Sequence, residues 1–489
     1  MNHEIPARFQ HSFLEEFVHD PTPCQLTAIS MLTEYLFDPV ENSLFLLNGY
    51  AGTGKTTLIS AFVRALDSLR IKNTLLAPTG RAAKVLGSYA GKTSHTIHRY
   101  IYQVFTSNEG KTVIIPRQNK ARDTVYIVDE VSMLAGFDNT DDPTHPFAGR
   151  NILDDLVAFV YSAENCRMVF IGDQAQLPPV GTTISPALDV RNLQTRFNLK
   201  IIQHSLLEVV RQHAGSGILF NATQIRNKIA ENDLSVPFLT LFPHDVSISD
   251  GNDLLDELSG SFSRHDHYNA VIITRSNKRA NLYNQEVRRR ILYREHEIEG
   301  GDLMMVVKNN YFWLPENSPA GFIANGDLVQ VLRVRNFEDR FGFRFADALV
   351  RLVDYPEEME LEVKILVDVV QSPTASLSRE QQNALFAEVR EEIASGHCDE
   401  GKGGGVSRNP WYNALQLKFA YALTCHKTQG GQWEKVFLDQ GWLPEDKIDT
   451  EYLRWVYTAV TRATRKLYLT GFNDNYLKAS DPDDASMPN

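Results

Sequence analysis

Short apolar runs alternate with amphipathic stretches through the first 200 residues of the chain. Helical patterns run from about Thr56 to Leu69 and over Arg81–Tyr89. Runs that predict buried strands lie at Leu44–Leu47, Thr74–Ala77, Val125–Val128 and Met168–Ile171. Strands that alternate with helices in this way pair in parallel and are covered on both faces. The pattern therefore predicts an α/β unit built on a parallel sheet.

A second, weaker set of the same kind follows. The strand candidate Val271–Thr274 precedes a basic helical pattern from about Lys278 to Leu292, and further strand candidates lie at Lys435–Leu438 and Lys466–Thr470. Two α/β units in one chain predict two lobes with a cleft between them.

Two insertions interrupt this plan. In the first, from about Tyr100 to Arg122, the apolar segments Ile101–Phe105 and Thr112–Ile115 flank the turn-like Ser107–Lys111, which predicts a β-hairpin. The second runs from about Gly301 to Pro410. Its strand-like and helical segments are Leu328–Val334, Ala348–Val353 and Arg379–Ile393, followed by the glycine-rich run Gly401–Gly405. We expect a small β-barrel-like module there.

Composition narrows the class of protein without deciding it. The chain has 489 residues, 43% of them hydrophobic and 22% charged, as in ordinary globular proteins. Its four cysteines are scattered, and neither a signal peptide nor an apolar run near 18 residues is evident, so we expect a soluble, intracellular, cytoplasmic protein with no membrane association. A net charge of −12 disfavours a globally basic nucleic-acid surface but leaves room for a local groove.

The segment Gly49–Thr57 has the pattern of a phosphate-binding loop, because it follows a strand candidate and opens a helix candidate. Its glycines let backbone N–H groups approach phosphate oxygens. Lys55 would neutralise the β- and γ-phosphates, and the Thr56 hydroxyl would bind Mg²⁺. The expected cofactors are therefore ATP and Mg²⁺. The nucleotide-binding residues predicted from this loop are Gly52, Thr53, Gly54, Lys55, Thr56 and Thr57.

Two adjacent carboxylates, Asp129 and Glu130, end the strand candidate Val125–Val128. In phosphoryl transfer the first acid of such a pair holds Mg²⁺ and the second activates the attacking water. Parallel sheets bind ligands at the carboxyl ends of their strands, so we expect both carboxylates to lie beside Lys55.

Six further segments, in this order along the chain, complete a resemblance to superfamily-1 helicases of the RecD-like branch, which includes the phage Dda-type helicases. They are Ala77–Lys84, Thr93–Arg99, Gly172–Gly181, Glu208–Gln212, Thr424–Gly430 and Val456–Ala463. The resemblance implies two RecA-like parallel-sheet lobes with a β-hairpin insertion in lobe one and an SH3-like β-barrel insertion in lobe two. The implied divisions are 1–200 with the hairpin at 101–121, 201–300 together with 411–475, the insertion 301–410, and a polar tail 476–489.

The resemblance also assigns roles in the ATP site. Gln25 looks like the residue that contacts adenine, and Gln174 like the residue that senses the γ-phosphate. Arg211 and Arg462 match two arginines that reach the phosphates from the second lobe, and Gln429 matches a nucleotide contact. With Lys55 and Glu130, the residues Gln174, Arg211 and Arg462 complete the predicted catalytic set. Cationic donors suit the charge that develops on the transferred phosphoryl group.

Residues that resemble the family's single-strand channel are Pro78, Thr79, His98, Thr424 and His426. The resemblance implies a monomer that moves 5′ to 3′ on single-stranded DNA, acts at junctions of duplex and single strand, and works with replication or recombination proteins. The hairpin would then separate the two strands. Hydroxyls, imidazoles and backbone amides suit contacts that ignore base sequence.

Two other functions are compatible with the same residues. One is a helicase that acts on RNA. The other is a subunit of a recombination complex that binds ATP as a structural clamp without acting as a motor. Stimulation of the ATPase by single-stranded DNA would distinguish the motor from the clamp.

Overall fold

A six-stranded parallel sheet with helices on both faces occupies residues 4–206, here called the first lobe. In this computed structural model the described residues are 4–479 without 18, 39, 107–111, 136–149, 211–214, 263–268, 316–317, 319–321, 356–358, 373, 375, 396–404 and 445–446. The helices of the first lobe are α1 (Glu4–Glu15), α2 (Pro23–Phe37), α3 (Lys55–Ser68), α4 (Gly80–Ala90), α5 (Ile97–Ile101), α6 (Ile152–Tyr161) and α7 (Val190–Phe197). Its strands are β1 (Ser43–Gly49), β2 (Lys72–Ala77), β3 (Ser94–Thr96), β4 (Tyr102–Thr106), β5 (Thr112–Pro116), β6 (Thr124–Val128), β7 (Arg167–Gly172) and β8 (Lys200–Leu206).

The sheet order β3-β2-β6-β7-β1-β8 decides where the site forms. β1 lies between β7 and β8, with Leu44 opposite both Met168 and Ile201. The loops that follow β6, β7 and β1 therefore leave the same edge of the sheet side by side. Separate apolar cores cover the two faces, one around Phe45 and Phe62 and the other around Tyr126 and Phe170.

The rest of the chain forms a second parallel sheet and an antiparallel insertion. The helices are α8 (Gly217–Glu231), α9 (Gly251–Phe262), α10 (Asn277–Glu286), α11 (Val367–Gln371), α12 (Arg379–Ala394) and α13 (Thr450–Val460). The strands are β9 (Leu239–Leu241), β10 (Val246–Ile248), β11 (Ala270–Thr274), β12 (Leu303–Val306), β13 (Leu328–Arg340), β14 (Phe343–Leu352), β15 (Leu361–Leu366), β16 (Leu417–Phe419), β17 (Ala422–Thr424), β18 (Trp433–Asp439), β19 (Ala463–Thr470) and β20 (Leu477–Ala479).

The second sheet has the order β10-β19-β18-β11-β17, with every pair parallel. We call residues 217–302 and 420–479 the second lobe, and 303–419 the insertion. The insertion sheet, β15-β14-β13-β12-β16, is antiparallel. Its outer strands approach each other, because Leu366 N–H donates to Leu415 O and Leu415 N–H donates to Lys364 O. The sheet thus curls towards closure, while its likeness to an SH3 barrel stays a prediction.

A buried ion cluster joins the insertion to the second lobe where the chain enters and leaves it. Asp302, fully buried, accepts hydrogen bonds from Arg288 at 3.0 Å and from Arg294 at 2.6 Å. Tyr421 donates to the same carboxylate at 3.1 Å and accepts from Leu303 N–H. A buried carboxylate needs such partners, so the cluster fixes both connections in one arrangement.

The strands and helices predicted from the apolar pattern are confirmed, including both parallel sheets and the antiparallel pair β4–β5. The sheets differ from the predicted divisions in extent: β8 begins at residue 200 and pairs within the first sheet, and β16 lies beyond residue 410 but belongs to the insertion sheet. The hairpin turn 107–111, most of the glycine run and the tail beyond 479 lie outside the described residues. Among the helices that are described, none is long and apolar enough to cross a bilayer.

Candidate functional site

The loop from Gly49 to Gly54 joins β1 to α3 as the sequence predicts. Gly52 and Gly54 have φ of 76° and 74°, a region that glycine adopts without strain. A Cβ at Gly54 would also clash with the side-chain amide of Gln25. The Lys55 ammonium folds back on the loop and donates to Gly49 O and, at 2.9 Å, to Tyr50 O. Phosphate oxygens would take over these contacts, so the loop is built for an anion.

Asp129 and Glu130 follow β6 at the same edge. Asp129 Oδ1 accepts a hydrogen bond from Glu130 N–H at 2.8 Å, and Glu130 has a left-handed backbone with φ of 53°. Such a conformation costs a non-glycine residue about 1–3 kcal/mol and is frequent at functional sites. Burial and the charge of Glu130 raise the pKa of Asp129 to about 7, against the opposing effect of Lys55. Two carboxylates near one lysine leave unbalanced negative charge, which fits a divalent cation held by Asp129 and the exposed Thr56.

A tyrosine of the second lobe reaches this edge of the first. Asp173, directly after β7, lies with Oδ2 3.9 Å from the Lys55 ammonium. The hydroxyl of Tyr457, on α13, donates to the same Oδ2 at 2.7 Å and accepts from Ala51 N–H at 2.9 Å. Tyr457 is 1% exposed. One buried phenol therefore connects the second lobe with both the phosphate-binding loop and the strand beside it.

Further hydrogen bonds cross the cleft around this tyrosine. Leu177 N–H donates to Thr458 Oγ1 at 2.9 Å, and Gln429 Nε2 donates to Leu177 O at 2.6 Å. The Arg226 guanidinium of α8 stacks over the Tyr50 ring at 4.6 Å. Side chains of the second lobe thus contact the phosphate-binding loop at Tyr50 and Ala51.

Comparison with known proteins finds a match in each lobe. Residues 38–143 match the model of the AAA domain, and 419–470 match the UvrD-like helicase C-terminal domain. The chain is 25% identical to the ATP-dependent DNA helicase dda of Enterobacteria phage T4, over 80% of this chain and 86% of that protein. It is also 25% identical to the ATP-dependent RecD2 DNA helicase of Deinococcus radiodurans, over 88% of this chain but only 47% of the relative's length. These matches confirm the predicted resemblance to superfamily-1 helicases of the Dda and RecD2 kind. A crystal structure of Pif1 helicase from Bacteroides with ADP-AlF3 and ssDNA aligns with a TM-score of 0.45 and 16% identity, covering 94% of this chain and 95% of that one.

Two predicted glutamines have different settings within the first lobe. Gln25 is buried, and its side chain accepts from Thr22 N–H at 2.9 Å and donates to Thr53 O at 3.1 Å, so it ties the start of α2 to the phosphate-binding loop. Gln174 is half-exposed, whereas Gln176 is buried and its Oε1 has no hydrogen-bond partner among the described residues. Their contacts with a nucleotide stay predictions.

Arg462, one of the two predicted arginines, does not meet the phosphate-binding loop in this structure. Arg462 is 5% exposed, and its donors bond to Thr458 O at 3.0 Å and Gly431 O at 3.2 Å, both in its own lobe, and to its neighbour Thr461. Arg211 lies outside the described residues. Gln429, the predicted nucleotide contact, donates one amide hydrogen to Leu177 O of the first lobe.

The predicted strand-channel residues come from both lobes, which approach each other at α4. Thr79 caps this helix by accepting from Ala82 N–H at 3.2 Å. Gly430, four residues after His426, has φ of 71° and approaches Thr79 and Ala82 so closely that a Cβ would lie 2.9 Å from that of Ala82. Thr424 ends β17, Pro78 precedes Thr79, and His98 lies on α5. Burial lowers the pKa of His426, which keeps its imidazole neutral near pH 7.

Sequence reasoning missed the roles of Asp173, Gln176, Tyr457 and Arg226. The first three lie in segments that carry the family resemblance, so their polar groups could have been tested as partners of the loop. Arg226 lies in an ordinary amphipathic helix, and no local pattern distinguishes it. Its position depends on how the lobes pack, which only the structure shows.

Proposed function

We propose that the chain is an ATP-dependent DNA helicase that moves 5′ to 3′ along single-stranded DNA and unwinds duplex. The observation that carries this proposal is the meeting of Lys55, Asp129 and Asp173 at one sheet edge, with Tyr457 of the other lobe closing over them. Relatives that bear the names of ATP-dependent DNA helicases support it.

In the proposed cycle, backbone N–H groups of residues 52–57 and the Lys55 ammonium hold the phosphates of ATP. Thr56 and Asp129 would hold Mg²⁺, which neutralises phosphate charge when bound. Glu130 accepts the proton of the attacking water. Closure of the lobes brings second-lobe cations, for which Arg211 and Arg462 are the proposed residues, to the transferred phosphoryl group.

Motion follows because parts of the site belong to different lobes. A strand held by Pro78, Thr79 and His98 on one side and by Thr424 and His426 on the other would be gripped alternately as the cleft closes and opens. The bodies proposed to move are two motor lobes with one hairpin and one insertion, where the first lobe includes β8 and the insertion includes β16.

Partial duplexes with either a 5′ or a 3′ overhang test the proposal. Unwinding of the 5′-overhang substrate, dependent on ATP and absent in Lys55→Ala, is expected. Unwinding of the 3′-overhang substrate alone would refute the polarity. ATPase activity that ignores single-stranded DNA would favour a structural clamp, and stimulation by RNA but not DNA would favour an RNA-directed motor.

The hairpin β4–β5 is proposed as the element that separates the strands. Replacing the turn 107–111 by a shorter turn should reduce unwinding while the ATPase stimulated by single-stranded DNA stays near the wild-type rate. Equal loss of both activities would contradict a separating role.

A further inference from the structure

Two lysines lie close together at the junction of the second lobe and the insertion. Lys418, on β16, is 6% exposed, and its ammonium donates to Ser372 O at 2.5 Å. Lys427, three residues after β17, is half-buried. No carboxylate of the described residues acts on either charge. A buried charge without a partner of opposite sign is costly, so the two lysines leave a place for an anion.

Both lysines line one small pocket with polar neighbours. Its wall includes Asn277 at the first turn of α10, Asn281 one turn later, and Thr424 at the end of β17. The positive end of the ten-residue helix α10 adds to the field of the two ammonium groups. Burial and the nearby charge of Lys427 lower the pKa of Lys418 to about 8, which is consistent with two cations held close together.

The size of the pocket limits what enters it. Its volume is about 20 Å³, which is room for one water-sized atom. A whole phosphate group would therefore stay at the mouth and place one oxygen inside. A phosphodiester of a polynucleotide backbone can do this, since its non-bridging oxygens project from the chain.

We propose that Lys418 and Lys427, with Asn277 and Thr424, form a phosphate-binding pocket for the backbone of a single-stranded nucleic acid. Thr424 belongs both to this pocket and to the proposed strand channel, so the pocket extends the channel towards the insertion. The inference rests on the proposed function for the identity of the ligand, while the anion site itself rests on the two lysines.

Replacing each lysine by methionine tests the pocket, because methionine keeps the length of the stem and removes the charge. Each variant should bind a fluorescent oligothymidylate about fivefold more weakly at about 0.1 M salt, and should reduce the slope of log K against log salt by about 0.7, the value for one phosphate contact on a single strand. Lys418→Arg, which keeps the charge, should retain the wild-type slope.

Lys466→Met provides the matched control. This lysine belongs to the second lobe, as Lys427 does. Like Lys418 it donates to a backbone carbonyl, Pro243 O at 3.1 Å, but it does not line the pocket. Wild-type slopes in both Lys418→Met and Lys427→Met would overturn the inference. So would an equal loss of slope in Lys466→Met, or a Lys418→Arg variant that behaves like Lys418→Met.

A failure of the proposed function can be told apart from a failure of the pocket. If the wild type binds no oligothymidylate, the helicase proposal fails and thermal stabilisation by sulfate, compared with chloride at equal ionic strength, tests the pocket alone. Greater stabilisation of the wild type than of both methionine variants supports the anion site. Equal stabilisation of all three overturns it.

Discussion

Removing the Tyr457 hydroxyl should uncouple the two lobes while leaving the ring packing intact. Tyr457→Phe loses one hydrogen bond to the Asp173 carboxylate and one from Ala51 N–H. A hydrogen bond to a charged group contributes about 1.5–3 kcal/mol, and one between neutral groups about 0.5–1.5 kcal/mol. Because water can satisfy part of the hydrogen bonding that the phenol loses, we expect a net cost of about 2 kcal/mol to this contact between the lobes, or a factor of about 30.

The assay is ATP hydrolysis stimulated by single-stranded DNA. The value of kcat/KM should fall about 30-fold in Tyr457→Phe, whereas nucleotide binding, which depends on Lys55 and its loop, should change little. Tyr452→Phe is the matched control, because its hydroxyl lies on the same helix but accepts from Gln440 at 2.8 Å within the second lobe. Equal rates in the two variants would refute the coupling role. A faster Tyr457→Phe enzyme would refute it too, since the contact would then oppose turnover.

Two further substitutions probe the chemistry of the ATP site, and a third probes a buried carboxyl outside it. Lys55→Ala should abolish phosphate release from ATP, because the γ-phosphate loses its nearest cation; retained release would exclude Lys55 from the site. Glu130→Gln should keep ATP binding, measured by a fluorescent analogue, but slow turnover about 10²–10⁴-fold, since an amide cannot accept the proton; unchanged turnover would place the base elsewhere. Asp327→Asn should raise the thermal midpoint at pH 8, because burial, with a smaller effect of Asp354, raises the pKa of Asp327 to about 7. The folded wild type therefore binds a proton at Asp327 more tightly than the unfolded chain does, and it loses stability as the pH rises from about 4 to about 7. The gain in thermal midpoint of Asp327→Asn should therefore vanish below about pH 4. A gain that does not depend on pH would contradict this reasoning.

Local pattern predicts the parallel sheets and the loop chemistry well, because both depend on short stretches of chain. The spacing of the glycines in residues 49–54 predicts a phosphate-binding loop, and the position of the two carboxylates directly after β6 predicts that they lie beside it. Contacts between lobes are different in kind. Nothing adjacent to Tyr457 in the sequence indicates that its hydroxyl would lie 2.9 Å from Ala51 N–H, and the lysine pocket requires β16 and β17 to be neighbours of α10. The predicted division at residue 200 differs from the sheet for the same reason, since β8 joins the first sheet only through its pairing with β1.

The insertion has a mechanical consequence that follows from its two attachments. The Asp302 cluster fixes it to the second lobe, while its far side rests on α4 of the first: Asp327 abuts Gly80, and the Lys84 ammonium donates to Val353 O at 3.3 Å. Three bodies in mutual contact have fewer independent movements than two. Any rotation of the lobes that widens the nucleotide cleft must therefore shift or break the contact between the insertion and α4. The insertion thus restricts the amplitude and the axis of the lobe rotation from a point far from the nucleotide site.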